Sequence, residues 1–432
     1  MRRYETYKDS GVEWLGEIPK HWKYSSLKWY SQIYSGGTPS KDVDEFWIDG
    51  TIPWLNSGTV NQIDIIKASD YITIEAFEKS SAKWIPNKSL IIALAGQGKT
   101  KGMVAQVHFE TTCNQSLGVI VPNEKIFNRF LFYWLKNNYQ NIRNLGGGDK
   151  RDGLNLVMIG GIPIPLPNKE EQVQISNYLD EKTSQINELI AKKEQLILLL
   201  EEERTAIINQ AVTKGLNPDA PLKDSGIDWL GEIPKDWKVM KGKYLFEIVS
   251  GYSPENVEDY IREEGISYFK VSDLNDKSSF FNLTKSNLYI NNKIFKTAPK
   301  GTILFPKRGA AISTNKVKIS TDECVFDTNI MGLIPNSDKI ESRFLAYSIL
   351  NRGLWDIADT STIPQINNKH IYPLEFPFPK SIEIQKEIVA QLDSEIIKNN
   401  KTIKLIKKEI NFLLEYKITL ISDVVTGKID VR

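Results

Sequence analysis

Cysteine and histidine are scarce in this chain, with two and three copies in 432 residues. Cys113 and Cys324 stand alone, outside any CxxC or Cys/His cluster. Neither a zinc site nor a disulfide frame is therefore expected, and the pattern fits a reducing, cytoplasmic setting. His21, His108 and His370 have no partners at metal-ligand or triad spacing, and His21 is expected at the surface because Asp236 replaces it in a repeat described below. Long apolar runs are missing too, and nothing approaches the roughly 18 residues a membrane span needs. The opening MRRYETYKDSG is polar, unlike a secretory signal. Charge of one sign is also lacking. A net charge of +1 neither supports nor excludes nucleic-acid binding, which depends on charge gathered on one face.

Catalytic signatures are absent as well. There is no glycine-rich cofactor loop after a strand and no Asn-Pro-Pro-aromatic tetrapeptide, and Glu-Ile-Pro-Lys at 17–20 and 232–235 has the wrong spacing for a nuclease Glu-x-Lys. The segment AGQGKTKG (95–102) resembles the end of a phosphate-binding loop, but Ala93 occupies the position of its first glycine. The matching place in the second half reads PKRGAAIS (306–313). A basic glycine turn between strands is the preferred reading, with a nucleotide-binding enzyme using the GQGKT loop as the alternative. No catalytic residue and no metal ligand is expected.

What is present is a duplication. KDSGVEWLGEIPKHWK (8–23) returns as KDSGIDWLGEIPKDWK (223–238), half a chain later. Weaker matches follow in the same order. Ser35, Gly36 and Pro39 return as Ser250, Gly251 and Pro254, and Arg129-Phe130-Leu131 as Arg343-Phe344-Leu345. Gln172, Ile175, Leu179 and Asp180 return as Gln385, Ile388, Leu392 and Asp393, and Thr213 as Thr426. Each half reads as a globular unit followed by a long helix. Hydrophobic content of 41% and charged content of 25% suit soluble globular units.

In the globular units, the apolar runs at 89–95, 116–122, 301–305 and 330–336 read as short buried strands, and 129–138 and 343–352 have helical spacing. The helices are announced by proline-rich exits, IPIPLP (162–167) and FPFP (376–379). Asn168 and Glu171 suggest a capping box. A heptad seam runs through Ile175, Leu179, Ile186, Leu189, Leu196, Leu200 and Ile207. Its counterpart runs through Ile388, Leu392, Ile396, Ile403, Ile406, Ile410, Leu413 and Leu420. Gly215 and Gly427 are expected helix stops. At 1.5 Å per residue, a helix of about 40 residues spans about 60 Å. One apolar stripe does not stand alone in water. Each seam therefore packs on the other helix or back on its own globular unit. Glu201, Glu202 and Glu203 in the first helix, against Lys398, Lys401, Lys404, Lys407 and Lys408 in the second, mildly favour mutual pairing.

The repeated KDSG-x-x-WLGEIP-x-x-W, the SGGTPS segment (35–40) and PLP followed by EEQ-x-x-I-x-x-x-LD (165–180) together resemble the specificity subunits of type I restriction-modification systems. The resemblance covers the whole chain. It departs at GYSPE (251–255) and SIEIQ (381–385) in the second half. It implies an α+β chain: two globular β-rich target-recognition domains in tandem, separated by two long helices pairing as an antiparallel coiled coil. With the repeat, it suggests a pseudo-two-fold, circular arrangement. The expected divisions are 1–167, 168–215, 216–379 and 380–432.

The resemblance further implies a non-catalytic protein that reads a bipartite site in double-stranded DNA. Two modification (methyltransferase) subunits would supply S-adenosylmethionine chemistry, and restriction subunits would use ATP and Mg. No cofactor is expected in this chain itself. A repeat protein that binds protein rather than DNA is the remaining rival. Loop residues able to read bases or hold phosphates are the DNA candidates. In the first half these are Thr38, Ser40, Lys41, Trp54, Asn56, Ser57, Lys99, Thr100, Lys101, Asn114, Gln115, Lys150 and Arg151. In the second half they are Tyr252, Ser253, Lys270, Ser272, Asp273, Lys307, Arg308, Asn315, Lys316, Thr362 and Gln365. Trp14/Trp229 and Trp22/Trp237 recur in both halves, so packing or partner docking is expected of them instead. The repeat also makes the chain ends look like a cut linker, which places Met1 and Arg432 close together.

Overall fold

The computed structural model describes residues 2–96, 98–146, 153–253, 257–290, 295–359 and 362–432. The chain forms two compact units: residues 1–193 with 408–432, and residues 194–407. Each long helix passes from one unit into the other: Lys169–Lys214 in the first half and Ile382–Val425 in the second. Among the described residues no helix is long and apolar enough to cross a membrane.

The first unit is built on a five-stranded sheet in the order Ser31–Ser35, Leu117–Pro122, Leu90–Ala93, Val104–Val107, Asp64–Ile65. Leu90, Ile91, Ile92 and Ala93 are all fully buried, which is why that strand reads as an unbroken apolar run rather than an alternation. The helix Asn128–Asn137 packs on the sheet through Phe130, Leu131 and Trp134. A smaller sheet sets Ile52–Leu55 between Asp70–Ile72 and the parallel strand Thr112–Cys113. The second unit repeats the five-strand order with Phe246–Ser250, Ile330–Pro335, Ile303–Pro306, Lys318–Ser320 and Asn282–Leu283. Its packed helix is Ser342–Arg352. The expected strands and helices thus form, with ends shifted by a residue or two.

The repeated residues fasten each globular module to its helix. The Gln172 side chain is buried; it accepts from Phe127 N (2.7 Å) and donates to the carbonyls of Lys125 (3.1 Å) and Pro167 (3.0 Å). Gln385 does the same for Glu341 N (2.7 Å), Lys339 O (3.0 Å) and Pro379 O (2.9 Å). Arg129 and Tyr133 both reach Asp180 at 2.7 Å, and Arg343 and Tyr347 reach Asp393 at 2.8 and 2.6 Å. Asn168 caps its helix by accepting from Glu171 N at 2.8 Å. The Glu171 carboxylate does not complete a capping box. It is buried, and it accepts from Tyr4 OH (2.6 Å) and Trp22 Nε1 (3.1 Å) beside His21 Nε2 (3.0 Å). His21 remains 45% exposed.

The two packing options for the helices are both realised. In the first unit, Ile175, Leu179 and Ile186 share one core with the module and with Leu420, Ile421 and Val424 of the second helix. Lys417 donates to Asn187 Oδ1 at 2.8 Å and Lys193 pairs with Glu409 at 2.6 Å, so the two helices run antiparallel there. In the second unit, Ile208, Ala211 and Val212 share a core with Ile388, Leu392 and Ile396. The expected second seam is buried or half-buried throughout. The first seam needs correction. Leu189 and Leu196 are 43% and 44% exposed, while Ile186, Ile197 and Ile208 are buried. Leu189-Ile190 and Leu196-Ile197 each offer two adjacent apolar residues, so spacing alone accepts either phase. Both helices end at glycines with positive φ, Gly215 at +77° and Gly427 at +76°.

Candidate nucleic-acid interface

One site occurs twice, at the edge where each small sheet meets the loop after the first strand of the large sheet. In the first unit, Cys113 pairs with Leu55 in parallel, and Asn114 N donates to Leu55 O at 3.0 Å. Gly37 N donates to Cys113 O at 2.8 Å, drawing the SGGTP loop onto this corner. A Cβ at Gly36 would lie 2.1 Å from that same carbonyl, so only glycine fits there. The Thr38 hydroxyl then hydrogen-bonds to Gln115 Oε1. Asn56 opens the turn after Leu55 and accepts from Gly58 N at 2.8 Å. Thr38, Asn56, Ser57, Asn114 and Gln115 are thereby gathered on one exposed or half-exposed corner. Beneath it, burial pushes the Cys113 thiol up to about 12.

The second unit builds the same corner with other side chains. Phe326 pairs with Phe269 in parallel, and Asp327 N donates to Phe269 O at 3.0 Å. Tyr252 N donates to Phe326 O at 2.8 Å, and a Cβ at Gly251 would lie 1.9 Å from Asp327 O. Ser253 Oγ lies 3.2 Å from Tyr268 OH and accepts from Thr328 N at 3.3 Å. Asp273 accepts from Lys270 N at 2.7 Å. Lys307 N donates to Asn329 O (2.8 Å), and Ile366 N to Lys307 O (2.8 Å), which brings Lys307, Arg308 and Gln365 to the same place. Burial lowers the Lys307 amine's affinity for its proton and raises the Asp327 carboxyl above the usual range. Asp327, Thr328 and Asn329 were not among the candidates. Reading FDTN (326–329) against CNQS (113–116) across the repeat is the signal that finds them.

Other candidates lie elsewhere. Trp54 is 4% exposed and donates to Gly37 O at 3.1 Å, so it packs under the corner. Lys101 is 3% exposed, which leaves it no surface for DNA. Asn315 adopts a left-handed turn (φ +46°) and donates to Leu350 O at 2.7 Å; with Lys316 it lines a crevice beside the long helices. Ser40, Lys41, Lys99, Ser272 and Thr362 are exposed, and Thr100 is half-buried. Lys150 and Arg151 fall outside the described residues. Of the repeated tryptophans, Trp22 and Trp237 are buried, whereas Trp229 is exposed beneath the Arg352 guanidinium, 5.2 Å from its ring.

The GQGKT loop has the wrong setting for a phosphate loop. It leads into the strand Val104–Val107 rather than a helix N-terminus. Its carbonyls are held from outside: Tyr139 OH donates to Lys99 O (2.6 Å), and Arg143 donates to Gly98 O (2.5 Å) and Lys101 O (3.1 Å).

The family model for the type I restriction modification DNA specificity domain matches this chain twice, over residues 19–199 and 234–412. The chain belongs to that family. Its role is DNA sequence specificity in a type I restriction-modification system, carried by two recognition modules in tandem with long helices between them. The type I restriction enzyme MjaIX specificity subunit of Methanocaldococcus jannaschii is 25% identical over 94% of both chains. The EcoR124I/EcoR124II specificity subunit of Escherichia coli is 32% identical over 40% of this chain and 42% of its own. Among solved structures, a type I R-M chain described for complex assembly and conformational transition superposes with a TM-score of 0.76 at 17% identity, covering 95% of this chain and 99% of its own. The HsdS subunit from Thermoanaerobacter tengcongensis gives 0.59 at 17% identity, covering 95% and 98%. These two likenesses concern the fold. Members of this family are the specificity subunits of type I systems, which assemble with other subunits.

Proposed function

We propose that the chain is a non-catalytic reader of a bipartite double-stranded DNA site, one half-site per module. The observation that carries this is the duplicated corner. Its backbone hydrogen bonds recur, while the side chains it displays differ: Thr38, Asn56 and Gln115 in one unit, Ser253, Lys270 and Thr328 in the other. Base reading requires such a change of donors and acceptors on a fixed frame. The two modules would therefore read different sequences. Lys307 and Arg308 on the second corner suit phosphate or guanine contacts.

Two modification subunits would bring S-adenosylmethionine chemistry, restriction subunits would use ATP and Mg, and this chain would hold no cofactor. The complex would work in the cytoplasm. The helices that run from one unit into the other would set the length of the unread spacer. The test is substitution at one corner, with the partner subunits present. Asn56→Ala with Gln115→Ala should weaken cognate duplex binding by about 1–3 kcal/mol per lost base contact and relax the sequence of one half-site only. Unchanged binding and an unchanged first half-site would remove the corner from the reading.

A further inference from the structure

A second duplicated feature lies where each packed helix faces the long helices. In the first unit it is a pocket of about 320 Å³. Its walls are Arg129, Tyr133 and Lys136 from the packed helix, Asp180, Thr183, Ser184 and Asn187 from the first long helix, and Lys417 from the second. In the second unit the same positions carry Arg343, Tyr347, Asp393, Asn400 and Arg204. The hydrogen bonds match as well. Lys417 donates to Asn187 at 2.8 Å, as Arg204 does to Asn400 at 3.0 Å. Arg129 donates to Asp64 at 2.8 Å, as Arg343 does to Asn282 at 3.1 Å. At three positions a polar residue of the first unit answers an apolar one of the second. Lys136, Thr183 and Ser184 stand where the second unit has Leu350, Ile396 and Ile397. In the second copy Ile396 is buried and Leu350 half-buried, so the fold accepts apolar residues at those two positions, while Ile397 is exposed. Thr183 is held by Tyr133 OH at 3.2 Å and by the Asp180 carbonyl at 3.4 Å, and Ser184 is exposed, so it is the Lys136 ammonium that calls for another reason.

The charges in the first pocket supply one. Asp64 and Asp180 are both engaged by Arg129, and Asp64 also by His108. Lys136 has no hydrogen bond or ion pair among the described residues; its Nζ lies 5.4 Å from the Phe132 ring centroid. Among the described residues Lys417 has only the neutral Asn187 amide. Two ammonium groups thus share a half-enclosed pocket with the Ser184 hydroxyl, while the two carboxylates that line it, Asp64 and Asp180, are both held by Arg129. Burial, followed by repulsion from Lys417 and Arg129, lowers the Lys136 amine to about 8, so an arriving anion would restore its charge.

We propose that this pocket of the first unit binds a phosphate-class oxyanion between Lys136 and Lys417, with Ser184 donating to its oxygens. The phosphate could be free, the head of a small ester, or a phosphodiester of bound DNA. The chemistry is shared, and the proposal does not depend on how the recognition corners work.

The full chain is unfolded thermally in sodium phosphate and in sodium chloride of equal ionic strength. Phosphate should raise the wild-type Tm in a saturable way. Lys136→Leu, which installs the residue of the second copy, should abolish that rise, and Ser184→Ala should shift the half-saturating concentration upward several-fold. The source is separated by titrating a duplex of unrelated sequence at several salt concentrations. A DNA phosphodiester in the pocket would make Lys136→Leu lower the salt slope by about one counterion. A free phosphate or phosphate ester would leave that slope unchanged while the Tm effect remains; either result upholds the site. A wild-type Tm that responds alike to phosphate and chloride, or an equal phosphate response in wild type and both variants, overturns it.

Discussion

Lys136 and Gln172 show how far single residues can be understood from their surroundings. Gln172 serves one N–H and two carbonyls from a position 1% exposed. Gln172→Ala should cost about 2–3 kcal/mol in denaturant unfolding, because the Phe127 N–H and two carbonyls lose their partner away from water. Lys136 carries the opposite sign. Its amine titrates near 8 when folded against 10.5 when free, so the unfolded chain binds more protons between these values. Wild-type stability should therefore rise with pH across that window. Lys136→Leu should stabilise the chain by about 1–2 kcal/mol at pH 7, discounted for the amine's remaining contact with water, and the gain should fade as pH approaches 10.5. Thermal melts of both proteins from pH 7 to 10.5 measure this; a gain independent of pH would contradict it. Repetition made Gln172, Arg129 and Asp180 visible in the sequence as residues that matter. It could not say that they tie module to helix, since that pairing joins residues some fifty positions apart.

Among the elements, the long helices were the most legible, because an apolar repeat of 3.5 residues sustained over many turns marks a helix with a buried seam. The phase of the first helix was not legible around Leu189 and Leu196, where neighbouring isoleucines compete. Asn399 lies in the second seam, 9% exposed, and donates to Leu200 O at 2.8 Å while its Oδ1 lacks a partner among the described residues. A polar seam residue of this kind fixes register at a cost in stability. Asn399→Leu should raise stability by about 1 kcal/mol while broadening helix pairing. Denaturant midpoints and hydrogen exchange over 196–207 would report both; a loss of stability would show the amide to be worth more than its burial costs. Inserting four residues after Leu200 adds about 6 Å of helix. That insertion should lengthen the spacer of the methylated site and leave both half-sites intact, whereas altered half-site bases would show that the helix also shapes the corners. The short strands were legible as apolar runs. The corners were legible only in part, because parallel pairings such as Cys113 with Leu55 join distant segments that no local pattern announces.

At the scale of the whole molecule, the chain order conceals a repeated series of parts. Residues 408–432 followed by 1–193 supply the same series of parts as 194–407. The join is made inside the first unit, where Asp430 N donates to Arg2 O at 2.9 Å and Arg432 stacks over Tyr4 at 5.0 Å. Met1 itself lies outside the described residues, but Arg2 and Asp430 already meet the expectation that the ends are close. Gly427 against Trp22 repeats Gly215 against Trp237. A permutant that links Arg432 to Met1 and opens near Pro218 should fold and, with its partners, keep the wild-type DNA specificity. Loss of specificity in a folded permutant would contradict this. The central claim is that the two modules read independently. It is tested most directly by replacing residues from about 20 to 160 with the same stretch of a relative, then mapping methylated bases across the host genome. The account predicts a new first half-site beside an unchanged second half-site and spacer. A change in both half-sites, or in neither, would contradict it.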